Sequence, residues 1–124
     1  MLSDIRSVFG KVSGTRGKKH DYLGMVFDFS AETSLKIHIN MMIEEILSKA
    51  DVGSITAPTP ANNNLSKIDA ASPTLSEDDK AYFHSTVTQL LYVAKRVRPV
   101  ILLAVSFLST RVINPTVSDL TFLV

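Results

Sequence analysis

The sequence contains a single pair of adjacent aspartates, Asp78-Asp79, within Ser76-Glu77-Asp78-Asp79-Lys80. Enzymes that transfer nucleotides use clustered carboxylates to hold two magnesium ions, so such a pair is the first candidate for chemistry. Here no hydrophobic strand flanks the pair. A hydroxyl residue followed by acids is instead typical of a helix start, where the side chains cap free N–H groups. The pattern predicts helix capping, and we identify no catalytic residue.

Metal-ligating and nucleophilic side chains are sparse. His20, His38 and His84 are too far apart in sequence to form a recognisable metal motif. The chain has no cysteine, which excludes a disulfide framework and thiolate zinc sites. We therefore expect no metal site and no cofactor in this chain.

Two short basic clusters stand out in a chain whose formal net charge is only +1. The segment from 11 to 20 has four cationic residues and no acid: Lys11, Arg16, Lys18 and Lys19. The second cluster comprises Lys95, Arg96 and Arg98. Cationic side chains gain affinity for nucleic-acid phosphates by releasing counterions, but a solvated loop and a solvated helix end explain the same residues. Both interpretations remain open.

Hydropathy patterning predicts a helix over 2–10 and then a β-hairpin over 22–39. Residues 22–29 alternate, with one face formed by Leu23, Met25, Phe27 and Phe29 and the other by Tyr22, Gly24, Val26 and Asp28. Residues 35–39 alternate again, so the two segments predict an antiparallel pair with one buried face. Asn40 is expected to cap a helix that extends to about Ala50.

The composition changes after this helix. Residues 51–75 contain three of the five prolines and predict a linker with little structure of its own. Helices are expected from Ser76 to Val97 and from Pro99 to about Val112, and Thr116 is expected to cap a third helix. The predicted class is α+β, with 1–50 as a sheet-bearing part, 51–75 as the linker and 76–124 as a helical segment.

The helix from Pro99 is apolar almost all round and would need covering on several sides, so we expect the chain to be part of something larger. Its longest apolar stretch, Val100 to Leu108, is much shorter than the ~20 residues of a membrane-spanning helix. The first ten residues lack a signal-peptide core. We expect an intracellular protein with no membrane partner.

Three groups of residues form a recognisable series along the chain. The first is His20-Asp21-Tyr22-Leu23-Gly24-Met25 with Phe27-Asp28-Phe29, and the second is Thr59-Pro60-Ala61. The third runs from 84 to 116: His84-Ser85, Leu90-Leu91-Tyr92-Val93-Ala94-Lys95-Arg96, Arg98-Pro99, Ile101, Ala104-Val105, Leu108-Ser109 and Asn114-Pro115-Thr116. In order and spacing, these groups resemble the reverse transcriptase of copia-type retrotransposons, downstream of its catalytic hairpin, over roughly residues 4–120.

The resemblance implies the end of a polymerase palm followed by a truncated thumb or connection segment. Residues Tyr22, Leu23, Gly24 and Met25 would form an element that holds the primer terminus, like a primer grip. Lys18, Lys19, Arg16, Lys95, Arg96 and Arg98 would contact phosphates of a primer-template. The rest of the polymerase polyprotein would be a partner, located in the cytoplasm, the nucleus or a transposon particle.

The family copies RNA into DNA with Mg²⁺, but its catalytic carboxylates would lie upstream, so no activity is expected from this chain alone. One departure is Val100, where relatives usually have an acid after the Arg-Pro pair. We expect the fold to tolerate it, because valine would pack within the apolar helix. Gly24 has a simpler explanation as a bulge or a packing contact. A second hypothesis, from another class, is a small helical protein-interaction module that uses the apolar helix from Pro99 to Val112.

Overall fold

The computed structural model describes residues 2–50, 58–61 and 63–123. It divides the chain into two compact units, Met1–His38 and Ile39–Val124. The first contains helix α1 and three strands: α1 (Leu2–Phe9), β1 (Lys19–Tyr22), β2 (Met25–Asp28) and β3 (Lys36–His38). The second is helical: α2 (Asn40–Lys49), α3 (Glu77–Arg96), a 3-10 turn (Pro99–Ile101), α4 (Leu102–Thr110) and α5 (Val117–Leu123). The predicted α+β class is confirmed.

The three strands form one antiparallel sheet in the order β1-β2-β3. His20 pairs with Phe27, and Phe27 pairs with Ile37 on the other side. Since paired residues point to the same face of a sheet, these three share one face with Tyr22 and Met25, which also pair. The alternation predicted for β2 and β3 therefore holds.

The predicted strand from Tyr22 to Phe29 is wrong at its beginning. Leu23 and Gly24 form a two-residue turn between β1 and β2, and both have positive φ, 52° and 75°. Paired positive φ angles are typical of the turns that match the twist of a hairpin, and glycine adopts them without a steric cost. Gly24 indicated a turn, but the alternation of apolar residues around it favoured the prediction of a continuous strand.

The expectation of a fully buried sheet face is also wrong. Met25 is buried, but Phe29, Leu35 and Ile37 each remain about half exposed. The polar neighbours on the other face include an ion pair, in which Lys19 Nζ lies 3.4 Å from Asp28 Oδ2.

Helix α3 begins and ends where its sequence signals predict. Ser76 is the N-cap, and its Oγ accepts a hydrogen bond from Asp79 N at 3.2 Å. The helix ends at Arg96, and Pro99 starts the 3-10 turn, because proline tolerates the first helical position but not the interior. Helix α4 follows directly, so the predicted second helix is divided into two elements.

The core of the second unit surrounds Phe83, which is 0% exposed. Side chains of α3 and α4 pack against it, and Leu65 and Leu75 join them: the buried cluster comprises Leu65, Leu75, Phe83, Val87, Ala104, Val105 and Leu108. Part of the predicted linker thus contributes to the core. Of that linker, residues 51–57 and 62 lie outside the described residues.

The end of the linker is fixed to the start of α5. Leu75 N donates to Pro115 O at 3.1 Å, and Val117 N donates to Pro73 O at 3.0 Å. Thr116 caps α5 as predicted, because its Oγ1 accepts from Asp119 N at 3.4 Å. The two backbone bonds join segments about forty residues apart in sequence.

Helix α4 is covered along one side. Ala104, Val105 and Leu108 are buried, whereas Leu103 is exposed. Within the described residues, no helix is both long and apolar enough to cross a membrane.

Candidate nucleic-acid interface

The turn between β1 and β2 presents the four residues of the predicted primer grip. Tyr22 and Leu23 are each 62% exposed, whereas Met25, the first residue after the turn, is buried. The Tyr22 ring packs edge-on against Phe27, with centroids 6.4 Å apart, which orients the phenol without covering it. The turn is therefore an exposed tip with an aromatic ring, a hydroxyl and an accessible backbone.

The prediction that Gly24 lies on a strand face beside Tyr22 is wrong. Gly24 lies in the turn itself. A close backbone approach is still possible there, since residues Leu23 and Gly24 are exposed. The left-handed conformation of Leu23 costs about 1–2 kcal/mol for a residue with a side chain. Sequence reasoning missed this strain.

Arg16, Lys18 and Lys19 lie at the opposite end of β1 from the tip. All three are exposed, and within the described part of the chain Arg16 and Lys18 form no ion pair. His20 holds this segment in place: one ring nitrogen, Nε2, lies 2.8 Å from Gly17 O, and Nδ1 lies 3.3 Å from Thr15 Oγ1. Strand β1 thus separates the cationic segment from the aromatic tip.

The charge of Lys19 is partly neutralised by its neighbour Asp28. Hydrogen bonds from Ser30, followed by the Lys19 ammonium, lower the pKa of Asp28 to about 2. Ser30 N donates to Asp28 Oδ1 at 2.9 Å. Asp28 is therefore ionised at any physiological pH, and Lys18 and Arg16 are the less compensated cations of the segment.

Lys95, Arg96 and Arg98 lie at the end of α3 and just beyond it, and all three are exposed. The Arg96 guanidinium lies over the Tyr92 ring, 5.3 Å from its centroid. Cations at a helix C-terminus also interact favourably with its dipole, so this position stabilises the helix whether or not a polyanion binds. The structure places this cluster in the second unit and the segment around Lys18 in the first.

The Asp78-Asp79 pair acts as sequence reasoning predicted, in helix capping. Ser76 Oγ donates to Asp79 Oδ2 at 2.7 Å and also accepts from its backbone N–H. Among the residues that the structure describes, no three His, Asp or Glu side chains are grouped as a metal site would need.

Val100, the position at which the resemblance implies an acid, lies in the 3-10 turn and is largely exposed. We expected this valine to pack within an apolar helix, and that expectation is wrong. An acid could occupy the position without being buried.

Comparisons of the chain with family models, with curated proteins and with solved structures found no match.

Proposed function

We propose that this chain is a non-catalytic part of the RNA-directed DNA polymerase of a copia-type retrotransposon, and that it positions the primer-template. The observation that carries the proposal is the β1–β2 hairpin. It presents an exposed aromatic tip at one end and cationic residues at the other.

The spacing of these two ends suits an extended nucleic-acid strand. Lys19 and Tyr22 are three residues apart on one strand, which corresponds to about 10 Å. Their side chains point to opposite faces, so one nucleic-acid backbone reaches both along the free edge of β1. Successive nucleotides rise by about 3.4 Å, so the two contacts would be about three steps apart. Tyr22 and Leu23 contact the terminal sugar or base, while Arg16, Lys18 and Lys19 contact phosphates.

A binding experiment tests this proposal. The chain is titrated with a fluorescent primer-template duplex over a salt series, and we expect weak binding that decreases as salt increases. The double variant Lys18→Glu with Lys19→Glu should lower the slope of log K against log salt by about 2, because two phosphate contacts are lost.

The matched control is Lys49→Glu with Lys67→Glu, which changes the net charge equally at positions outside the hairpin. This control should raise the dissociation constant for the duplex by no more than about twofold, because only the general change in net charge acts on binding. If both double variants weaken binding equally, the hairpin is not the contact surface.

A second variant tests the tip. Tyr22→Ala should weaken duplex binding about threefold to tenfold by removing a stacking ring, with the salt slope unchanged. An unchanged affinity would remove the tip from the proposal.

The coding sequence offers an independent test of the family. Translation upstream of Met1 should encode an aromatic-X-Asp-Asp hairpin in the same frame, since the metal-binding carboxylates are expected there. An unrelated coding sequence at that position would contradict the assignment.

A further inference from the structure

A groove in the second unit lies between α2, the C-terminal half of α3 and the 3-10 turn, and its volume is about 240 Å³. Helix α2 contributes Ile43, Ile46 and Leu47, and α3 contributes Leu90 and Val93. Arg98 is the charged residue among the lining side chains. The groove therefore combines an apolar floor with a cationic edge.

The size of the groove decides which class of occupant it suits. Pockets that enclose a whole small molecule measure roughly 300–1,000 Å³, which is larger than this groove. A volume of about 240 Å³ instead suits one or two apolar side chains that anchor a protein partner. Leu47, at the edge, is 54% exposed and would become buried beneath such a partner.

The charge at the groove indicates the charge of the partner that it would bind. Arg98 is exposed and forms no ion pair within the described ranges, and Lys95 is exposed in the last turn of α3. The acid Glu45 of α2 is already paired with Lys49. An acidic partner would therefore meet a cation that forms no ion pair with any carboxylate of the described residues.

We infer that this groove binds an acidic amphipathic helix of a partner protein. Leucine-sized side chains on one face of that helix enter between α2 and α3, and a carboxylate one turn away pairs with Arg98. Two helices that lie side by side with an open apolar seam provide the surface for a third helix. The inference goes beyond nucleic-acid handling and does not depend on it.

The probe for the test is a fluorescein-labelled helical peptide with leucines at i, i+3, i+4 and i+7 and glutamate or alanine elsewhere. Its binding to the full chain is measured by fluorescence anisotropy. We expect saturable binding, and a second peptide with lysine in place of every glutamate should bind at least about tenfold more weakly.

Two variants of the chain locate the site. Leu47→Asn should weaken peptide binding about tenfold, because it places an amide where an apolar anchor is buried. Arg98→Gln should weaken it about fivefold by removing the charge-assisted pair. Both side chains are exposed, so thermal unfolding should show that each variant keeps the fold.

Matched controls lie outside the groove. Met41→Gln changes an apolar side chain of the same helix that is 81% exposed and does not line the groove, and Lys67→Gln removes an exposed charge that does not line it either. Each should alter the dissociation constant by less than about twofold.

Three results would overturn the inference: no saturable binding of the glutamate peptide, equal binding of the lysine peptide, or the same affinity for Leu47→Asn and Met41→Gln. A fourth result would overturn the inference by identifying another occupant of the groove. If the primer-template duplex displaces the peptide, and Leu47→Asn weakens duplex binding as much as peptide binding, the groove belongs to a nucleic-acid surface instead.

Discussion

The two compact units are stabilised in different ways. The first, Met1–His38, has six Lys and Arg against four Asp and Glu, whereas the second has seven against eight. The sheet of the first unit leaves several large apolar side chains about half exposed, and α1 has no buried residue. The second unit encloses Phe83 completely.

This contrast shows that the candidate interface and the main core are separate. The hairpin residues proposed to contact nucleic acid lie on or beside short paired strands, while the apolar burial that stabilises the fold lies mainly in the second unit. Substitutions in the core should therefore lower the free energy of unfolding, whereas substitutions at the hairpin should mainly change nucleic-acid binding.

The largest effect is expected for Phe83→Ala. Removing a fully buried phenyl ring leaves a cavity, and such changes typically cost about 3–5 kcal/mol of the free energy of unfolding. Urea denaturation followed by far-UV circular dichroism measures the loss.

The matched change in the first unit is Phe29→Ala, at a half-exposed ring, and it should cost less than about 1.5 kcal/mol. Equal losses for the two variants would show that the sheet is as tightly packed as the helical core, and the comparison would fail.

An intermediate effect is expected at Asp119, a buried carboxylate in the second unit. Burial alone raises its pKa, but the Thr116 backbone N–H, the Arg111 guanidinium and the Thr116 hydroxyl outweigh that effect, so the pKa of Asp119 is lowered. Thr116 N donates to Asp119 Oδ2 at 2.9 Å, and Arg111 Nε donates to Asp119 Oδ1 at 3.2 Å. Asp119→Asn should cost about 1–3 kcal/mol at neutral pH, because it leaves partners of the charge unsatisfied.

The pH dependence of this difference follows from the direction of the shift. A carboxyl whose pKa is lower in the folded state stabilises the fold above its unfolded value, about 3.9, and that stabilisation is lost as pH falls through the folded pKa. The difference in unfolding free energy between the wild type and Asp119→Asn should therefore shrink below about pH 4. Asp78→Asn, an exposed first-turn control, should change stability by less than about 1 kcal/mol. A difference that grows in acid would contradict the assigned role of Asp119.

The smallest effect is expected at the hairpin tip. Leu23→Asn should stabilise the first unit by about 1 kcal/mol or less, since asparagine tolerates the left-handed conformation that leucine adopts at φ 52°. Amide hydrogen exchange across β1 and β2 should slow. Leu35→Asn, at an exposed position outside the turn, should not slow it, and faster exchange in Leu23→Asn would contradict the turn geometry.

Local signals predicted several elements correctly. Ser76 with the following acids located the start of α3, and Arg98-Pro99 located the break after it, because both act through backbone atoms within a few residues. The alternation of β2 and β3 predicted which side chains share a face. The basic residues of the candidate interface were found by charge alone. Their role in nucleic-acid binding stays a prediction.

The sequence by itself determined the α+β class, the helix limits around Pro99 and the cationic character of the segment before β1, since each depends on near neighbours along the chain. Only the tertiary structure decided that Leu65 and Leu75 join the core, that Asp119 pairs with Arg111, and that Leu35 and Ile37 remain half exposed. Burial and ion pairing depend on which distant segments meet. A hydrophobic pattern indicates which side chains would gain free energy from burial, but not whether another element covers them.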